Sequence, residues 1–193
     1  MKTSRIPTHK INELILNRWS PRALSEEKLS NEELMSLFEA ARWAPSSYNN
    51  QPWRFIYATR DSQFWNTFVS LMGEFNQSWA KNAAALVVLV SKKTFDHNGE
   101  PSVTHSFDAG AAWENLAIEA ASRNIVAHGM QGFDYEKART ELGIPEGYNV
   151  EIMIALGKLG NKEDLPEMLK EREAPSDRKT LDQIVMEGSF KSE

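Results

Sequence analysis

Cysteine does not occur in this 193-residue chain. Disulfides, thiolate nucleophiles, iron–sulfur clusters and thiolate-bound zinc are excluded together. Basic charge is also short, and a net charge of −5 argues against a broad nucleic-acid footprint, which needs a positive face. Long apolar runs are missing. The longest, Ala83 to Val90, is far too short to cross a bilayer. Met1 to Lys10 carries charges with no apolar region after it. No signal peptide is legible there, so a cytoplasmic protein with no membrane partner is expected. Neither G-x-G-x-x-G nor G-x-x-x-x-G-K-[ST] occurs, so a dedicated dinucleotide domain and a P-loop are both excluded. No G-x-S-x-G elbow is present. The four histidines, His9, His97, His105 and His128, show no metal-ligand spacing, and no metal is assigned. Internal repeats are lacking.

What is present is the composition of an ordinary globular protein, 41% hydrophobic and 25% charged. At this length one domain, 1–193, with a proper core is expected. Lys10 to Asn17 carries Ile11, Leu14 and Ile15 at helical spacing. Ser30-Asn31-Glu32-Glu33 is a capping box, opening a helix with Leu34, Leu37, Phe38 and Ala41 on its buried face. Trp53 to Ala58, Ala83 to Val90 and Tyr148 to Leu156 read as strands. Asp61 to Met72 and Asp134 to Leu142 read as helices. Asp108 to Ser122 is a helix crowded with alanines, small enough for close backbone approach, with Trp113 and Leu116 as anchors toward a partner subunit. From Gly157 onward the chain is charged and broken by Pro166 and Pro175, with too little apolar content for a core of its own.

Three stretches carry recognition chemistry. Between Pro45 and Pro52 lie Ser46, Ser47, Tyr48, Asn49, Asn50 and Gln51, hydroxyls and amides without formal charge. Such groups donate and accept, which suits a heterocycle edge or a polyol better than a metal. In Arg18-Trp19-Ser20-Pro21-Arg22, the proline favours an extended chain. Alternation then projects Arg18, Ser20 and Arg22 to one side with Trp19 turned away, a plausible phosphate clamp because guanidinium forks match phosphate oxygens. Gly129 and Gly132 bracket Met130 and Gln131, and a backbone approaches a flat ring closely only where no Cβ intervenes.

Ala44-Pro45-Ser46-Ser47-Tyr48-Asn49-Asn50-Gln51-Pro52-Trp53-Arg54-Phe55 closely resembles the flavin-binding loop of the nitroreductase family, the FMN-dependent NAD(P)H oxidoreductases. The resemblance continues in register at Arg18 to Arg22, at Phe75-Asn76, at Gly129 to Phe133 and at Arg178-Lys179. It implies an α+β fold, a central mostly antiparallel sheet flanked by helices. It further implies an intertwined homodimer in which a C-terminal extension, 157–193, wraps the partner subunit. FMN would be tightly bound, with NAD(P)H as co-substrate and a small flat acceptor such as a nitroaromatic or quinone, in a ping-pong mechanism. Related members of the fold carry out reductive dehalogenation or flavin fragmentation, and a non-catalytic FMN-binding module is the rival outside enzymes. The implied cofactor set is Arg18, Trp19, Ser20, Arg22, Pro45, Ser46, Ser47, Asn49, Gln51, Asn76, Gly129, Met130, Gln131, Gly132, Arg178 and Lys179, with no catalytic side chain because the flavin carries the chemistry. Many members place a lysine near the flavin's pyrimidine edge where this chain has Trp79.

Overall fold

The computed structural model describes residues 5–191. Four strands form one sheet in the order β1-β2-β4-β3: β1 (Trp53–Thr59), β2 (Ala85–Lys92), β3 (Ile125–Met130) and β4 (Tyr148–Lys158). Every neighbouring pair is antiparallel. Both faces of β2 are buried, and its side chains divide by the two-residue period of a strand. Ala85, Val87 and Leu89 pack under α2 (Asn31–Arg42) and α5 (His105–Ser122). Leu86, Val88 and Val90 face the opposite layer, built on Phe68, Leu71, Trp79, Ala138 and Leu169. Those residues lie on α3 (Trp65–Leu71), α4 (Glu74–Ala80), α6 (Tyr135–Glu141) and α7 (Glu167–Lys170). The result is a helix–sheet–helix sandwich of the α+β class.

Local signals act as the sequence implies at the start of α2. Ser30 Oγ accepts from the Glu33 N–H at 3.1 Å while the Ser30 N–H donates to Glu33 Oε2 at 2.8 Å. Lys158, at the end of β4, reaches Glu33 Oε1 at 2.5 Å. That ammonium and the Ser30 N–H hold the Glu33 carboxyl down at about 2. Other boundaries move. The first helix, α1 (Glu13–Asn17), starts later than Lys10 because the Asn12 side chain accepts the Leu14 N–H and caps it there.

The largest departure lies in Ile125–Phe133, where a glycine-bracketed loop is expected and Ile125–Met130 is found as a strand. Burial decides it: Ile125, Val126 and Ala127 are all covered, and Gly129 pairs with Ile154 on β4. Gly129 gives Ile152 its room there, because an added Cβ would lie 2.7 Å from Ile152 Cδ1 and displace that side chain. The alanine-rich helix also differs from expectation. Leu116 is fully buried against the sheet, so it is a core residue and no anchor for a partner. The face α5 leaves open carries Phe107, Gly110 and Glu114, with Phe107 81% exposed.

The C-terminal segment is divided. Leu165 and Leu169 are buried in the chain's own core. After them Glu173 turns back onto the N-terminal segment, its Oε1 accepting from the N–H groups of Arg22 and Ala23 at 2.8 and 2.9 Å. Beyond it, α8 (Leu181–Ile184) and the residue after it leave Leu181, Ile184 and Val185 in the open, 46%, 60% and 65% exposed. No helix among the described residues is long and apolar enough to cross a membrane.

Candidate functional site

Pro21 carries the arginine segment past β3. The Pro21 carbonyl lies 2.8 Å from His128 Nδ1, and a carbonyl only accepts, so that nitrogen bears the proton. The His128 ring tilts against Trp79 of α4 at 4.5 Å between centroids. Burial, helped by the nearby Arg22 cation, pushes the imidazole down to about 4, and it is neutral at physiological pH.

Around this hinge opens a cleft of about 270 Å³ lined by Arg5, Arg18, Trp19, Ser20, Arg22, His128, Arg172, Ala174, Ser176 and Arg178. Five guanidiniums converge in a chain whose overall charge is negative. Their crowding is felt: Arg5 is pulled below the usual arginine value by burial and by Arg178 and Arg18. Two carboxylates touch the rim. Glu114 lies 3.6 Å from Arg18 Nε and is half exposed. Glu173 spends one oxygen on backbone N–H groups, and its Oε2 is buried without a partner. Arg22 Nε is buried and unpartnered too. An arginine cluster beside a serine hydroxyl, with one donor unspent, is chemically suited to a phosphate-like anion.

Arg18, Ser20, Arg22 and Arg178 therefore share one cleft. Trp19, expected to turn away, lines it as well. Lys179 is not among the lining residues. Asn76 is 8% exposed and donates from Nδ2 to the Gly132 carbonyl at 2.9 Å. Both lie in a second groove of about 660 Å³ that Phe75 and Phe133 also line. A Cβ on Gly132 would strike that Asn76 amide at 2.8 Å, so the glycine is what lets the amide close on the loop. Met130 is buried in the core, while Gln131 is exposed. Sequence reading missed His128, Arg5, Arg172 and Glu173. A histidine directly before Gly129 was the only local hint, and charged residues in a polar tail carry none.

The Pro45–Gln51 loop is held elsewhere, at the start of β1. It turns through a 3-10 segment, Ser47–Asn49, and Tyr48, Asn49 and Gln51 all adopt left-handed backbone, φ 52°, 54° and 47°. β1 and β3 are opposite edges of the sheet. With strands roughly 4.8 Å apart, about 14 Å of sheet separates them. Within one chain the loop carrying Pro45, Ser46, Ser47, Asn49 and Gln51 does not line the arginine cleft.

The architecture, a helix-covered antiparallel sheet with an arginine cleft on one edge and a polar strained loop on the other, has relatives. The sequence profile of the nitroreductase family matches residues 15–64 and 58–158. The chain belongs to the nitroreductase family. A crystal structure described as an oxidoreductase containing FMN superposes with a TM-score of 0.95 at 45% identity, covering 99% of this chain and 98% of that one. The major NAD(P)H-flavin oxidoreductase of Aliivibrio fischeri is 25% identical over 220 residues, 92% of this chain and 98% of its own. A nitroreductase family protein from Streptococcus pneumoniae, 20% identical with a TM-score of 0.72 over 91% of this chain and 98% of its own, shares the fold.

Proposed function

We propose that this protein is an FMN-dependent oxidoreductase that passes reducing equivalents from NAD(P)H to a flat acceptor such as a nitroaromatic or a quinone. The observation that carries the reading is the cleft in which Arg18, Ser20, Arg22 and Arg178 converge, with Arg22 Nε buried and unspent. Its positive charge suits the FMN phosphate, and a relative containing FMN follows this chain over nearly its full length. FMN, when bound, supplies the redox chemistry. The chain's own residues then have defined tasks. Arg18, Ser20 and Arg178 hold the phosphate. Asn76, fixed by Gly132, offers its amide to the pyrimidine edge. Trp79 is buried against the tilted ring of His128 and brings no cation to that edge, so Arg22 alone favours negative charge there. No side chain has to act as acid or base. Donor and acceptor take turns at one open face, which is a ping-pong order.

The site is completed across a homodimer in this reading. The polar loop and the arginine cleft sit on opposite sheet edges, and one protomer's loop would meet its partner's arginines. Apolar side chains left open on α5, on α8 and just after it, Phe107, Leu181, Ile184 and Val185, supply surface for that contact. The test is direct. Purified protein is expected to be yellow, to release FMN on denaturation at up to one per chain, and to oxidise NAD(P)H only when acceptor is present, with parallel initial-velocity lines. A folded protein that takes up no FMN ends the proposal; one that takes it up without turnover is the non-catalytic binder.

A further inference from the structure

Asp108 is the only buried side chain among the described residues that carries a formal charge, 4% exposed in the first turn of α5. Its neighbours on that face are Ala109, Ala112, Leu116, Ala117 and Ala120. An apolar residue would pack there without the penalty of desolvating a carboxylate. Its Oδ2 accepts from the Ser47 N–H at 3.1 Å and from the Thr104 hydroxyl at 3.3 Å. Ser47 opens the turn in which three of four successive residues, Tyr48, Asn49 and Gln51 but not Asn50, are left-handed. None is glycine, and although asparagine tolerates that region, Tyr48 and Gln51 are held against their own preference. The other restraints act further along the loop. Ser46 Oγ accepts the Gln51 N–H at 3.0 Å, and Asn50 bonds to the Asp96 N–H at 2.9 Å and to the Thr94 carbonyl at 3.3 Å. Asp108 is thus the tie between the loop and α5.

The tie is mounted on a fixed base. Glu151 is the extra residue of a β-bulge in β4, between the pairs Leu89–Ile152 and Val90–Val150. The bulge turns its carboxylate onto the start of α5, where it accepts from the Ser106 hydroxyl at 2.7 Å and lies 3.5 Å from His105 Nδ1. Fully buried Ser91 of β2 bonds to both Glu151 and His105. The first turn of α5 is pinned to two strands, and Asp108 cannot follow the loop if the loop relaxes.

We infer that Asp108 is a positioning residue for the FMN loop: through the Ser47 N–H it keeps Ser46, Ser47 and Asn49 in a strained, preformed arrangement. The inference rests on the reading of that loop as an FMN contact. Preformation matters because a loop that must be ordered on binding lowers affinity by the fraction of time it is competent. Asp108→Asn keeps an acceptor for the Ser47 N–H and removes the charge. Asp108→Leu keeps the branched shape and removes the acceptor, and Asp108→Ala removes both.

Two readouts separate the anchor from the cofactor. Hydrogen exchange of residues 46–51 in the apoprotein is expected to speed up in Asp108→Leu and Asp108→Ala and to stay near wild type in Asp108→Asn. FMN titration by flavin fluorescence on the refolded full chain is expected to show about a tenfold weaker Kd for the first two variants and rescue by Asp108→Asn. Unchanged exchange in Asp108→Leu overturns the anchor. Faster exchange with unchanged FMN affinity overturns the positioning role. Equal loss in Asp108→Asn and Asp108→Leu shows that charge acts instead of the hydrogen bond and also overturns it. If the wild-type chain binds no FMN, the proposed function falls and the positioning role with it, while the exchange data still report the anchor.

Discussion

At the scale of single residues, His128 shows how a core contact shapes a binding site. Its proton is committed to the Pro21 carbonyl, which places Ser20 on one side and Arg22 on the other. The imidazole is held down near 4 by burial, against an ordinary value near 6.5 in the unfolded chain. The unfolded state therefore binds a proton that the folded state refuses, and stability falls as pH drops from about 6.5 toward 4. A shift of this size corresponds to about 2–3 kcal/mol at the bottom of that window. Urea denaturation at a series of pH values is expected to show the decline, and His128→Gln is expected to flatten that part of the curve. Arg18→Ala and Ser20→Ala test the cleft itself. Each is expected to weaken FMN binding by about 1.5–3 kcal/mol, roughly tenfold or more, while the unfolding midpoint of the apoprotein stays close to wild type. Arg18, Ser20 and Arg22 were legible because alternation along an extended chain is a local rule. His128, Arg172 and Glu173 were not, because they reach the cleft from β3 and from the tail, 107 residues from Pro21 for His128 and 151 from Arg22 for Glu173. No local pattern encodes such distances.

At the scale of elements, the capping box and the leucine stripe gave α2 its start and its buried face, and both are local signals. β3 was lost for a physical reason. Glycines at 129 and 132 read as the close approach of a loop to a flat ring, whereas Gly129 sits within a strand, where an added Cβ would crowd the Ile152 side chain on the neighbouring strand. The same logic separates two other glycines. A Cβ on Gly160 would lie 2.7 Å from the Leu24 carbonyl carbon and 2.8 Å from the Ser25 nitrogen, both backbone, while one on Gly147 meets nothing within 4 Å. Backbone cannot swing aside as a side chain does. Gly160→Ala is therefore expected to destabilise by about 1–3 kcal/mol, and Gly147→Ala to stay within about 0.5 kcal/mol of wild type, both read from the denaturant midpoint. Gly160 lies beside the Leu24–Leu159 bridge that joins the arginine segment to the end of β4. Its substitution is expected to lower FMN occupancy as well.

At the scale of the whole molecule, the family and the α+β fold were readable from short motifs. The division of the tail was not, since Glu173 returns to its own chain while Leu181, Ile184 and Val185 stay open. Removing 181–193 is expected to lower dimer fraction and FMN content together, because a shared ligand links assembly to binding. Light scattering with flavin quantitation reads both, and a monomer of full FMN affinity would refute the shared site. Placing the arginines and the polar loop on opposite edges of one sheet has a consequence for mixed assemblies. A chain crippled at Arg18 still carries an intact loop, and a chain crippled at Gln51 still carries an intact arginine cleft. In the proposed shared-site dimer neither homodimer would have a whole site, yet a hybrid of the two would assemble one sound site and one doubly damaged one. Random co-assembly of two inactive proteins should then restore about a quarter of the wild-type sites, as closed twofold pairing dictates. Two broken enzymes, mixed and refolded in one tube, would turn yellow.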